Sequence, residues 1–117
     1  MRHNDYSYSF GCATEAAIEA IGGKWKGVLL YHLRQTKRFN ELCKLLPMAS
    51  SRMITKQLRE LERDGIILRK IYAEVPPKVE YSLTEFGQTL EPILQELEKW
   101  GNIYLNKLEE NRKNNET

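Results

Sequence analysis

The residues of this 117-residue chain with chemistry to offer are two cysteines, two histidines and a tight group of cationic and hydroxyl side chains. Cys12 and Cys43 lie far apart, with neither a C-x-x-C pair nor a zinc-type spacing, so they form no disulfide framework and no dithiol redox motif. His32 has no Cys, His or acid at metal-ligand spacing and His3 stands alone, so no metal site is expected. There is no Gly-rich phosphate loop, no G-x-S-x-G and no acid–base pair; no catalytic residue and no cofactor are expected. What remains is Ser50, Ser51, Arg52, Thr55, Lys56 and Arg59, all able to donate hydrogen bonds to base edges or phosphates.

The charge distribution favours the same segment. Net charge is only +2. Yet Lys24 to Arg63 carries ten Lys or Arg against three Glu, while residues 1–23 and 84–117 are both acidic and residues 64–83 balance. A concentrated basic stretch is the footprint of a phosphate-binding surface, set against the plainer reading of a solvated face. Apolar residues make up 41 % and charged residues 29 %, an ordinary globular composition. No apolar run is long enough to span a membrane, and Met1 to Phe10 lacks the apolar core of a secretory signal, so the expectation is a cytosolic protein with no membrane partner.

The elements that must position these residues follow from periodicity. Residues 1–11 read as an arm in which Tyr6, Tyr8 and Phe10 alternate with polar residues. A helix starts near Cys12, with Ala13, Ala16, Ala17 and Ala20 as a small-residue stripe that lets another helix approach, and Gly22-Gly23 stops it. A second helix, about Lys24 to Gln35, has Trp25, Val28, Leu29, His32 and Leu33 as its expected buried stripe. Lys37 to Phe39 is extended. Asn40 is the expected N-cap of a third helix, Glu41 to Leu46, ended by Pro47. Ser50 caps a fourth, with Met53, Ile54, Leu58 and Leu61 inward and Gly65 as its stop. Ile66 to Val75 and Lys78 to Leu83 read as a hairpin turned at Pro76-Pro77, with Lys78 at or near its tip. Thr84 caps a last helix with Leu90, Ile93, Leu97, Trp100, Tyr104 and Leu108 on one face, kinked or split at Pro92. Residues 109–117 read as a polar tail.

Two short helices joined by a tight turn and followed by a hairpin make a winged helix-turn-helix: mainly α with a two-stranded β-wing, spanning residues 12–108 as one domain. The second helix of the pair enters the major groove, and the fourth helix fits that role, since its first half bears no acid. Taken alone such a helix is more often only solvated; the turn, the hairpin and the basic segment reverse that judgement. The expected DNA-contacting residues are Arg38, Asn40, Ser50, Ser51, Arg52, Thr55, Lys56, Arg59 and Lys78. A winged-helix module that binds protein is the alternative, disfavoured by Arg52, Lys56 and Arg59. An RNA-binding domain lacks an exposed aromatic platform.

The segments Ile21-Gly22-Gly23-Lys24-Trp25, Arg38-Phe39-Asn40-Glu41-Leu42, Ser50 through Gly65, Val75 through Thr84 and Trp100-Gly101 resemble the HxlR-type family of winged-helix regulators over about residues 12–101. The resemblance implies a dimeric transcription factor on an inverted-repeat operator, paired through its first and last helices. That agrees with the Ala stripe and with Ile93, Leu97, Trp100 and Tyr104 as dimer residues. The resemblance also makes Cys12 a redox- or electrophile-sensing candidate, because some members sense through a cysteine just before the first helix; Ala13 departs from the Pro common there, and Cys43 from a polar residue. By its own chemistry, a thiol at a helix start meets free backbone N–H groups that favour thiolate, opposed here by Glu15. Sensing and plain packing stand level for Cys12, and Cys43 reads as core packing. Trp25 and Trp100 read as core or dimer anchors. A helix-built dimer commonly leaves an apolar pocket suited to a small aromatic effector, whose identity the sequence does not give.

Overall fold

The computed structural model describes residues 12–115. Its elements in chain order are α1 (Cys12–Ile21), α2 (Lys26–His32), β1 (Lys37–Arg38), α3 (Phe39–Leu45), α4 (Ser51–Arg63), β2 (Ile67–Tyr72), β3 (Lys78–Leu83), a 3-10 turn (Gly87–Leu90) and α5 (Glu91–Asn115). This is the expected winged helix-turn-helix. The N-terminal arm lies outside the described residues.

The core is built where the apolar residues of four helices and the sheet converge. Leu29, Leu30 and Leu33 of α2 and its C-terminal flank, Leu42 and Leu46 from the α3 region, Ile54, Leu58 and Leu61 of α4, Ile66 and Ile67 at the start of β2, and Leu94 of α5 are all buried. On α4 the buried positions recur at i, i+4 and i+7, one stripe of a 3.6-residue helix. Ser50 caps α4, its hydroxyl accepting from the Met53 backbone N–H at 3.1 Å. Gly65 ends it at φ +76°, a left-handed conformation that glycine adopts without steric cost.

The sheet holds one strand more than the hairpin. Strand order is β1-β3-β2, all antiparallel, with Lys37 opposite Tyr81 and Arg38 opposite Glu80. A two-residue strand has no periodicity to read, and its partner lies over forty residues away. Pairing by β1 also moves the start of α3: Arg38 is the N-cap, its N–H held at 2.8 Å by the Glu41 carboxylate, so Asn40 lies inside the first turn instead of capping it.

The α2 stripe is rotated from the expected one. Leu29, Leu30, Leu33 and Lys26 are buried, Val28 is exposed, and Trp25 and His32 are half-buried. In α1, Ala16 and Ala20 are half-buried while Ala13 and Ala17 are exposed.

Thr84 does not cap α5 directly. Its hydroxyl donates to the Gly65 carbonyl at 2.6 Å and accepts from the Gly87 N–H at 2.9 Å, clamping the ends of the wing and opening the 3-10 turn. The helix α5 then starts at Glu91, which puts Pro92 in the first turn, where a missing N–H leaves no bond unmade. Pro92 therefore starts this helix; it neither kinks nor splits it. The helix also continues to Asn115, through most of the segment read as a polar tail.

Along its 25 residues α5 buries only Leu94. Tyr31 donates to Glu98 at 3.0 Å, and Arg34, whose guanidinium lies over the Tyr31 ring, pairs with Glu91 at 3.4 Å, tying α2 to α5. Beyond this anchorage α5 projects, and the radius of gyration is 17.0 Å, against about 13 Å for a compact domain of this size.

Replacing Leu58, 1 % exposed at the centre of the core, by Ala should destabilise the fold by about 2–5 kcal/mol in chemical denaturation; a loss under about 1 kcal/mol would mean that α4 is not held by this stripe.

Candidate nucleic-acid interface

With one stripe of α4 fixed in the core, its opposite face is fixed toward solvent. Arg52, Lys56, Arg59 and Arg63 recur on that face at i, i+4, i+7 and i+11. With Ser50 and Thr55 they line an open trough of about 790 Å³. Among the described residues no carboxylate comes within ion-pair distance of these four cations. Arg63 was missed in the sequence; its helical register with Arg59 was the available signal.

The two acids of α4 take partners on other elements, although Glu60 also lines the trough. Glu60 meets Lys26 of α2 at 2.7 Å, and Glu62 meets Arg69 of β2 at 3.3 Å. The hydrogen bond from Lys26 holds the Glu60 carboxyl below its ordinary range.

The hydroxyls of α4 have local partners. The Ser50 side chain serves as the cap, and the Thr55 hydroxyl donates to the Ser51 carbonyl at 2.9 Å, which leaves its lone pairs free to accept. Ser51 is exposed at the first turn, where the helix N-terminus favours an anion.

Arg38, Asn40 and Lys78 come together apart from the trough, around a notch of about 480 Å³ between the start of α3 and the wing turn. Lys78 stands near the wing tip, in the last strand pair before the turn, opposite Tyr72. It opens β3, its ammonium 3.5 Å from Glu80 and 4.7 Å from the centre of the Tyr72 ring. Glu80 is held below the ordinary carboxylate range by a hydrogen bond from Tyr72, then by Lys78 and by Arg38, which lies opposite it in the sheet. Lys78 in the notch is thus paired with a carboxylate, whereas Arg52, Lys56, Arg59 and Arg63 of the trough have none at ion-pair distance among the described residues. At the tip stands Val75, fully exposed and followed by Pro76 and Pro77.

The remaining candidates lie elsewhere. Cys12 is the first residue of α1, half-buried, and Cys43 is half-buried against the core; both are free thiols. His32 is held below its ordinary value by partial burial and then by Lys37 and Arg34. Among the described residues no group of three or more His, Cys, Asp or Glu could hold a metal, and no helix is long and apolar enough to cross a membrane. The expected dimer residues Ile93, Leu97, Trp100 and Tyr104 are each 48–60 % exposed, with Trp100 stacked on Tyr104. An apolar recess of about 360 Å³ lies between α1 and the turn before α5, walled by Ala20, Ile21, Ile66, Phe86 and Leu90.

The model of the HxlR-like helix-turn-helix family matches residues 20–109. The HTH-type transcriptional regulator YdeP of Bacillus subtilis (strain 168) is 59 % identical over 107 residues, which cover 88 % of this chain and 84 % of that protein. Among solved structures, the redox regulator HypR in its reduced form is 54 % identical with a TM-score of 0.79, covering 83 % of this chain and 97 % of that one. The reduced form of the transcriptional regulator YodB from B. subtilis is 36 % identical with a TM-score of 0.68, covering 77 % and 89 %. With most of its length matched by the family model and by relatives of this similarity, the chain belongs to the HxlR-like helix-turn-helix family.

Proposed function

We propose that this protein is a cytosolic, sequence-specific DNA-binding transcriptional regulator that acts as a homodimer on an inverted-repeat operator. The observation that carries the reading is the cationic face of α4, with Arg52, Lys56, Arg59 and Arg63 outward, Glu62 paired with the wing and Glu60, the one acid in the trough, paired with Lys26. A merely solvated helix would pair its acids with its own cations; here both acids take partners on other elements. Arg52 and Thr55, in the first half of the helix, are assigned to bases or adjacent phosphates. Lys56, Arg59 and Arg63 are assigned to phosphates, with Ser51 donating at the helix start. Arg38, Asn40 and Lys78 serve the flanking backbone, more weakly than α4 because Glu80 already compensates Arg38 and Lys78.

The dimer is supported by α5. Seven large apolar side chains between Ile93 and Leu108 are 44–63 % exposed, more than a free surface helix retains without a partner. Ile18 of α1, 62 % exposed, extends the same kind of surface. Two-fold pairing through α1 and α5 sets two copies of α4 about 34 Å apart, one turn of duplex.

Cys12 carries a second layer of the reading, as a redox or electrophile sensor. Its place at the start of a helix assigned to the interface supports it, together with similarity to a regulator named for redox control. A modification there shifts α1 at the interface and with it the spacing of the two α4 helices.

On a specific duplex, Arg52→Ala should weaken binding by about 1–3 kcal/mol for each base it reads and narrow the gap between specific and random DNA. Lys56→Ala should lower the slope of log affinity against log salt by about one unit for every phosphate left without its cation, and Lys78→Ala by less. Unchanged affinity and slope in Arg52→Ala and Lys56→Ala would sink the assignment and leave a protein-binding winged helix as the better reading. For the thiol, diamide should release wild-type protein from DNA, while Cys12→Ser binds normally and ignores the reagent. Wild type that stays bound with Cys12 demonstrably modified would refute the sensor.

A further inference from the structure

Lys26 is the single charged residue buried among the described residues, 5 % exposed. It sits at the start of α2, beneath the recognition helix, and its ammonium lies 2.7 Å from the Glu60 carboxylate. Such a pair is a weak source of stability, because desolvating two ions offsets most of their attraction. Its position suggests another use. Glu60 is the one acid lining the cationic trough, and a quarter of its side chain remains open to it. Lys56 and Arg63 flank it on the same helix. An uncompensated carboxylate here would repel the phosphates that its neighbours attract, at a range where screening by salt is incomplete.

We propose that Lys26 serves DNA recognition from beneath α4, neutralising Glu60 so that the trough presents unbroken positive charge to the DNA backbone. Lys26 touches no nucleotide; it is a positioning residue that acts through Glu60. The inference rests on the reading of α4 as the recognition helix. It is consistent with the Glu60 carboxyl being held ionised by this same ammonium, so that the counter-charge is needed throughout the neutral range.

The two halves of the pair make opposite predictions. Lys26→Met keeps the buried stem and exposes the carboxylate. It should weaken binding to specific and random duplexes alike, by about tenfold on a two-site operator, with the loss shrinking as salt is raised. Glu60→Gln removes the repelling charge and should tighten binding to both duplexes by about threefold. The double variant Lys26→Met/Glu60→Gln should return to within about twofold of wild type. Affinities are read by fluorescence anisotropy across salt concentrations, well below each variant's thermal midpoint. If the pair merely held α4 in place, both single variants would weaken binding and the double would not recover; that result overturns the proposal. So does a folded Lys26→Met with wild-type affinity. Should Lys26→Met not fold, Glu60→Gln decides alone: tighter binding supports the mask, and equal or weaker binding overturns it. Arg52→Ala in the same series separates the two levels, since its failure to weaken binding would remove α4 from the DNA while leaving the ion pair intact.

Discussion

Everything outward-facing on this protein depends on how α4 is seated. Ile54, Leu58 and Leu61 are 0–1 % exposed, and three buried side chains on one stripe fix both the rotation of the helix and its depth. Rotation by one residue would bury a cation and expose a leucine, each costly. The same seating turns Glu60 toward Lys26 and Glu62 toward Arg69 of the wing. The outward placement of the four cations is therefore a consequence of core packing, which admits only one face of the helix.

A second consequence reaches α5. Its first turns are joined to α2 by the Tyr31–Glu98 hydrogen bond and the Arg34–Glu91 ion pair, and α2 supports α4 through the core leucines and through Lys26. The helix that exposes the most apolar surface is thus two elements away from the helix assigned to DNA. In the proposed dimer, a change at the α1 and α5 surfaces would have a packed route to α4, because α2 cannot move without disturbing residues that are fully buried. The apolar recess between α1 and the turn before α5 lies along the same boundary.

Much of the arrangement was legible in the sequence because it is local. The spacing of Ile54, Leu58 and Leu61, the Ser50 cap and the Gly65 stop are written within one short segment, and they place Arg52, Thr55, Lys56 and Arg59 outward without any tertiary information. What was not legible is non-local or depends on where a long side chain ends. Strand β1 is two residues paired far along the chain with β3, and its formation makes Arg38 the cap that Asn40 was expected to be. Lys78 lies near the wing tip as its place beside Pro76-Pro77 suggests, but its engagement by Glu80 and Tyr72 was not legible. A proline inside an apolar pattern suggests a break; only the clamp by Thr84, which ends the wing and opens a 3-10 turn, places Pro92 where it begins a helix. Lys26 is the clearest case, since nothing in a run of glycines and lysines distinguishes the buried one from its exposed neighbour Lys24.

The central claim, that two copies of this α4 face read one operator, is tested most directly by hydroxyl-radical footprinting on a bound operator fragment. The account predicts two protected patches on one face of the duplex, centred about one helical turn apart and related by the symmetry of an inverted repeat. A single protected patch, or protection spread evenly around the duplex with no symmetry, would contradict it.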